Sequence, residues 1–512
     1  GLRGFWVVGA APAFAVTMIA GTAVVAPLAG MTWSVLPVVL VTVIVGLAIA
    51  LTRRAIGRRL PQSVVPTAES TARRRFDPWV TGALVVAAVV LTVRVLQIIQ
   101  SPSSISQTFD NIFHLNGIRF VLETGNASPL HLGSMTSPDG SLPFYPAGWR
   151  ALTSLVVQLS GVSIPVAVNA VVLTTSALIW PVSIMLLSRT LLGSAPAVAV
   201  ATGALAASVP AFPILLMDYG VLYPFQLALA LLPAALAAVL PLLRLVPVRG
   251  PQAPGWWGLV LIGMIPAIAI SHPGALVAWL ALSVPFVIVF AWRAVRQTTG
   301  RTRVLVVAGF MLYLVVGAVL VRVLRPPAEA RGWPVQMSVL DAVWTTLSVS
   351  MWYLVPSFVV AAAVILGGVW ALVDRRLPGL LALAMYLVGA GLFIAVAALP
   401  WAALRDALTG SWYNNLPRLA AILGIALVPI AAYGISRTWT AVARAVARRR
   451  SADTARPWIG PVAGIAAGAV LLVAMQVVVL DRAVSWASPL YRLDASSPLL
   501  TSDEYALLTR LP

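Results

Sequence analysis

The 512-residue chain has no cysteine and no lysine, and only 10% of its residues are charged. The lack of Cys excludes disulfides, thiolate nucleophiles and Cys-ligated metals. The shortage of charge excludes an ordinary aqueous surface, for which roughly a quarter of the residues would be ionic. What fills the chain instead is apolar, at 60% hydrophobic residues and a mean hydropathy of +0.96. These residues come in runs of about 18 to 25, the length a helix needs to cross a hydrocarbon core of about 30 Å. The sequence therefore describes an all-α polytopic membrane protein.

The net charge of +19 is carried by arginine alone. A basic chain can serve nucleic acid, but here the arginines flank apolar runs, where they act as topology signals, and no nucleic-acid partner is expected. Hydrophobic spans are read near 5–27, 31–52, 78–99, 163–188, 195–212, 221–246, 256–271, 274–292, 304–325, 351–373, 378–399, 418–437 and 459–480, thirteen in all. Tyr145–Ser160 is too interrupted to span and is expected to lie as an amphipathic helix at the interface. With thirteen spans, the clusters Arg53–Arg59, Arg73–Arg75, Arg293–Arg303, Arg375–Arg376 and Arg444–Arg450 all fall on one side. Cytoplasmic loops accumulate arginine, which makes that side the cytoplasm of a plasma (inner) membrane.

Loop 100–162, the turns near 217–220 and 271–274, loops 326–350 and 400–417 and the tail after Leu480 then face outward. Three parts follow: 1–77, two spans and an Arg-rich loop; 78–480, the membrane body; and 481–512, an extracytoplasmic tail. Thr501, three residues before Glu504, reads as a capping box that opens a helix or the start of a truncated domain.

Nearly all the unusual polar residues lie on the outer side. Asp110 and His114 are four apart and share one helical face amid Phe109, Ile112, Phe113 and Leu115. Asp110 reads either as a general base tuned by its neighbours or as a cap on a short interfacial helix. Asp218 and Tyr219 end one span and His272 begins another, and ionisable groups at such depth are functional candidates. His272 can equally satisfy carbonyls freed by the break at Pro273. Arg331 and Arg418 sit beside Trp- or Pro-containing loops and suit phosphate oxygens. Arg322 and Arg325 read as snorkelling helix-end residues. Trp412 and Tyr413 either stack on a sugar or belong to the interfacial aromatic belt, and Asn414 and Asn415 offer both donors and acceptors. Asp341, Asp406 and Glu123 read as solvated loop charges, and no His/Asp spacing calls for a metal.

A span followed by an outer loop that opens on an acid and continues through interfacial helices resembles the GT-C superfamily of membrane glycosyltransferases. TFDNIFHLNGIRFVLETGNAS (108–128), FYPAGW (144–149), SHPG (271–274) and SWYNNLPRLAA (411–421) also resemble an uncharacterised actinobacterial membrane protein family with a GT-C-like layout. The resemblance covers most of 78–512. It implies a cofactor-free, inverting transfer on the extracytoplasmic face, from a polyprenyl-phosphate sugar to an envelope glycan or glycolipid. It places the base at Asp110, with Asn111, His114, Asp218, Tyr219, His272, Arg331, Trp412, Tyr413, Asn414, Asn415 and Arg418 around the substrates. Many members carry two adjacent acids, whereas Asn111 follows Asp110 here, which speaks against a metal-dependent version. The competing expectations are an envelope lipid or glycan transporter or flippase, and a non-catalytic GT-C-like scaffold. A transporter would place its charges near the bilayer midplane and break spans in both halves.

Overall fold

The computed structural model describes residues 4–59, 77–137, 139, 144–247, 254–449, 459–476 and 478–510; Arg73–Arg75 and Arg450 of the arginine clusters lie outside them. Among the described residues all regular structure is helical. The chain runs through α1 Phe5–Leu28, α2 Val35–Arg59, α3 Pro78–Ile99, α4 Phe109–Thr124, α5 Gly148–Ser160, α6 Ile164–Leu192, α7 Pro196–Ala206, α8 Tyr223–Leu242 and α9 Gly255–Ser271. It continues with α10 Pro273–Gln297, α11 Gly300–Val323, α12 Val339–Leu347, α13 Phe358–Asp374, α14 Leu377–Ala398, α15 Ala402–Thr409 and α16 Leu416–Arg449. It ends with α17 Ile459–Gln476, α18 Val479–Ala487 and α19 Ser502–Leu508.

Nine described helices are long and apolar enough to cross a membrane, and α17 with α18 forms a bent pair that makes a tenth. The expected spans 195–212, 256–271 and 351–373 fold as the shorter apolar helices α7, α9 and α13. The reason is local. Pro210 lies inside the first stretch and Pro213 just past it, the second is interrupted at Gly263–Met264, and Pro356 lies inside the third, ahead of α13. A hydropathy sum does not register such breaks, whereas a missing N–H and a fixed φ do end helices. Tyr145–Ser160 gives α5, which packs on α4 and α1 rather than crossing.

Ion pairs tie the helix ends together and give the bundle two distinct ends. At one, Arg189 reaches Asp77 at 2.7 Å and Arg437 Nη2 reaches Asp374 at 2.9 Å. Asp77 also caps α3, accepting from the Trp79 and Val80 amides ahead of a Pro at the first helical position. Arg375 and Arg376 follow Asp374 directly at this end, and Arg444 continues the helix that carries Arg437. At the other, loop-rich end, Arg94 binds Asp481 at 2.7 Å and the Tyr223 hydroxyl meets that of Tyr491 at 2.8 Å. The expected capping box at Thr501 is formed and opens α19.

Burial is graded from the centre outward. α8 is almost wholly enclosed, while α11 has no buried residue and α2 is apolar and nearly bare. Bare faces of Val, Leu and Ile would drive aggregation in water; hydrocarbon is their natural solvent. We expect Thr299→Cys, between α10 and α11, and Ala495→Cys, in the tail, to be labelled by an impermeant maleimide from opposite sides of the membrane. Both positions are exposed, and the cysteine-free chain gives no background. Labelling of both from one side would contradict this arrangement of ends.

Candidate functional site

At the loop-rich end a cavity of about 480 Å³ opens between the starts of α4, α8 and α10, the strap after α11 and the turn before α16. Of the twelve residues that the resemblance puts at the site it gathers five: Asp110, His114, His272, Tyr413 and Arg418. Tyr145, Phe225 and Arg325 join them. One wall, 323–327, continues directly from α11, the helix with no buried residue.

Asp110 sits in the first turn of α4, half-buried, with no hydrogen bond or ion pair. Its Oδ2 lies so near Gly220 that a Cβ there would stand 3.0 Å away, and Gly220 has a φ of +66°. A side chain at 220 would therefore be strained and would crowd the carboxylate. Burial pushes the Asp110 carboxyl above its ordinary range, and the charge of Arg418 acts in the opposite direction.

His114, one turn along α4, is fully engaged. Its Nδ1 faces Arg150 Nη2 at 2.8 Å and its Nε2 faces the Val221 carbonyl at 2.8 Å. A guanidinium only donates and a carbonyl only accepts, so the ring is the neutral tautomer with its proton on Nε2. Burial first, and the Arg150 charge second, hold its pKa well below the usual value. His114 is thus a fixed strut and not a proton carrier.

Arg150, at the start of α5, is completely buried without a carboxylate partner. It donates to the Pro146 carbonyl at 3.1 Å and lies 4.8 Å from the Phe113 ring centroid and 4.9 Å from that of Tyr145. Such ring faces attract a cation strongly once water is excluded. Sequence reasoning missed Arg150; its place directly after the FYPAGW segment was the available signal.

His272 and Arg418 stand on the opposite wall. His272 caps α10, its Nδ1 accepting from the Gly274 amide at 3.1 Å, and its Nε2 lies 3.1 Å from Arg418 Nη1. Arg418 sits over the ring of Tyr413 at 4.4 Å and near that of Phe225 at 5.6 Å, with no carboxylate in ion-pair range.

The remaining candidates lie elsewhere. Asn111 is buried and donates to the Ser106 carbonyl at 2.9 Å, so it braces the loop and does not line the cavity. Arg331, expected at a phosphate, is instead bound to Asp406, which also takes Arg325 at 3.3 Å. Asp406 is accordingly an ion-pair hub and not a solvated charge, and Arg325 does more than snorkel. Asn414 completes this staple by donating to the Arg331 carbonyl at 2.9 Å. Trp412 is buried and donates to the Gly274 carbonyl at 2.8 Å, which leaves it no free face for a sugar. Asn415 donates to the Tyr219 hydroxyl at 2.8 Å. Asp218 accepts from Trp352 Nε1 at 3.1 Å, and burial raises its pKa to about 6. Asp218 and Tyr219 are therefore neighbours of the cavity rather than its lining.

Chemically the cavity offers one free carboxylate, one unpaired guanidinium, two neutral imidazoles and aromatic faces. Among the described residues no three His, Asp or Glu side chains are grouped to hold a metal ion. The chain belongs to DUF6541, a family of unknown function, which it matches over residues 1–512. No curated protein matches the chain.

Gly117 in α4 carries a clear packing prediction. A Cβ there would stand 2.6 Å from Arg150 Nε and 2.9 Å from its Cδ. Gly117→Ala should cost about 1–3 kcal/mol of stability by overpacking, despite alanine's better helix propensity. In an Arg150→Ala background the same change should cost little. Equal penalties in both backgrounds, measured by thermal melting, would contradict the contact.

Proposed function

We propose that the protein is a membrane glycosyltransferase of GT-C type. It takes a sugar from a polyprenyl-phosphate carrier and passes it, with inversion, to a hydroxyl of an envelope glycan or glycolipid. Its loop-rich end faces outward from the plasma membrane, opposite the arginine clusters, as the positive-inside rule expects. The observation that carries the reading is the presence in one cavity of a carboxylate and a guanidinium, neither of them in an ion pair. The Asp110 carboxylate and the Arg418 guanidinium both face it, beside a wall that continues α11, a helix with no buried residue.

In this reading the donor's chain stays in the bilayer along α11, and its phosphate reaches the cavity past residues 323–327. Asp110 accepts the proton of the acceptor hydroxyl as that oxygen attacks the anomeric carbon. The bond from that carbon to the phosphate oxygen breaks, and the phosphate leaves with the electron pair. Arg418 offsets the negative charge gathering on the leaving group, a role suited to a guanidinium in a site with restricted water. Burial of Asp110 favours the task, since a base with a raised pKa is a better proton acceptor. No metal is required by this scheme.

Asp110→Asn, which keeps shape but cannot accept the proton, should reduce sugar transfer in membranes by at least about 100-fold. Transfer by the unmodified protein should rise with pH as Asp110 ionises, through a midpoint above the ordinary Asp value, because only the carboxylate acts. Full activity of Asp110→Asn, or a rate that falls as pH rises through that range, would sink the assignment.

A further inference from the structure

We infer that His272 and Arg418 form a two-donor clamp for a single phosphoryl group, with His272 as a neutral Nε2–H donor. The inference takes the ligand's class from the reading above but does not need transfer to occur.

The argument is one of proton counting. Both ring nitrogens of His272 face donors: the Gly274 amide at Nδ1 and Arg418 Nη1 at Nε2, each at 3.1 Å. A neutral imidazole has one N–H, so one of the two contacts sets donor against donor. Adding a second proton would make both contacts repulsive, and burial followed by the Arg418 charge opposes it. The Gly274 amide is fixed in a buried backbone position at the start of a 25-residue helix, and no other acceptor is given to it. Leaving it unsatisfied is costly, so Nδ1 is the acceptor and the proton resides on Nε2.

Two donors, one of them cationic, then stand 3.1 Å apart at the cavity wall, and no acceptor satisfies their facing N–H groups. Arg418 has no carboxylate to hold it, and the Tyr413 and Phe225 rings flank it. Cation–π contacts leave the in-plane N–H groups free, and those are the groups that bind phosphate oxygens. An anionic phosphoryl oxygen satisfies both donors at once; a neutral sugar hydroxyl would leave the guanidinium charge uncompensated. Asp110 lines the same cavity, close enough for Arg418 to act on its ionisation but not to pair with it. A phosphate on the clamp therefore lies within the reach of the proposed base without competing for it.

The test separates the cap from the clamp. In position, an Asn amide replaces Nδ1 and a Gln amide replaces Nε2. His272→Asn keeps the helix cap but removes the donor, whereas His272→Gln restores the donor and loses the cap. Binding of farnesyl phosphate and of inorganic phosphate is measured on the purified full chain in detergent, alongside its melting temperature. His272→Asn should melt like the unmodified protein yet bind about tenfold more weakly, as expected for one lost charge-assisted hydrogen bond. His272→Gln should melt lower yet bind within about threefold, and Arg418→Gln should lose tenfold or more.

Preference for farnesyl phosphate identifies a lipid-borne phosphate, and equal binding of both probes a free one; either supports the clamp. Asp110→Asn should retain binding, so loss of transfer in that variant leaves this inference standing. Binding that follows melting temperature across the two His272 variants would overturn it. So would unchanged binding in Arg418→Gln, or no binding of either probe by the unmodified protein.

Discussion

The Arg150 guanidinium, buried without an acid to neutralise it, is the constraint on which the loop-rich end depends. A buried cation is tolerable only if its donors and its charge are met by other means. Here the Pro146 carbonyl and His114 Nδ1 take the two terminal nitrogens and the rings of Phe113 and Tyr145 face the charge, while Nε is buried without a hydrogen bond. These partners come from two pieces of the cavity wall, α4 and the 145–146 segment ahead of α5, so satisfying the charge positions one against the other. The contact forces His114 into one tautomer, and that tautomer binds the Val221 carbonyl ahead of α8. In this way α4, α5 and the start of α8 are locked together, and Asp110 is delivered to the cavity at the free end of α4.

The bilayer imposes a second constraint. Irregular backbone is costly in hydrocarbon unless protein encloses it, so unusual conformations are best accommodated where loops join the helices. Tyr413 and Asn414 have φ values of 66° and 54°, and Val221, Trp352 and Leu354 are also left-handed. Such conformations cost energy in non-glycine residues and persist where surrounding bonds hold them. The Asp406 hub, Asn414 and Trp412 supply those bonds around the turn that presents Tyr413 and Arg418. The residues that do not touch the cavity therefore still determine its shape.

These constraints explain what was readable in the sequence. The long apolar runs locate the helices, and Asp110, His114, His272, Tyr413 and Arg418, read together on one side, meet in one cavity. The α5 segment is correctly kept out of the spans by its interruptions. Side-chain direction is not readable in this way. Asn111 is adjacent to Asp110 in sequence, yet on a helix adjacent residues face about 100° apart, and it points into the fold. Arg331 and Arg418 look alike in sequence, but Asp406 engages one and leaves the other free. That difference arises from residues 75 apart meeting in space, which no local pattern encodes. Arg150 is hidden for a similar reason: its place after FYPAGW marks it for attention, but its burial depends on α4 residues more than 30 positions away.

The central claim is that the cavity beside α11 receives the phosphate end of a membrane lipid while the lipid's chain remains outside. Photo-crosslinking with a diazirine-bearing polyprenyl phosphate tests it most directly, with adducts mapped by mass spectrometry. The account predicts adducts concentrated at 222–225 and 323–327, suppressed by excess unlabelled polyprenyl phosphate and by Arg418→Gln. Adducts spread evenly over the bare faces of α2 and α11, and indifferent to both competitor and substitution, would contradict it.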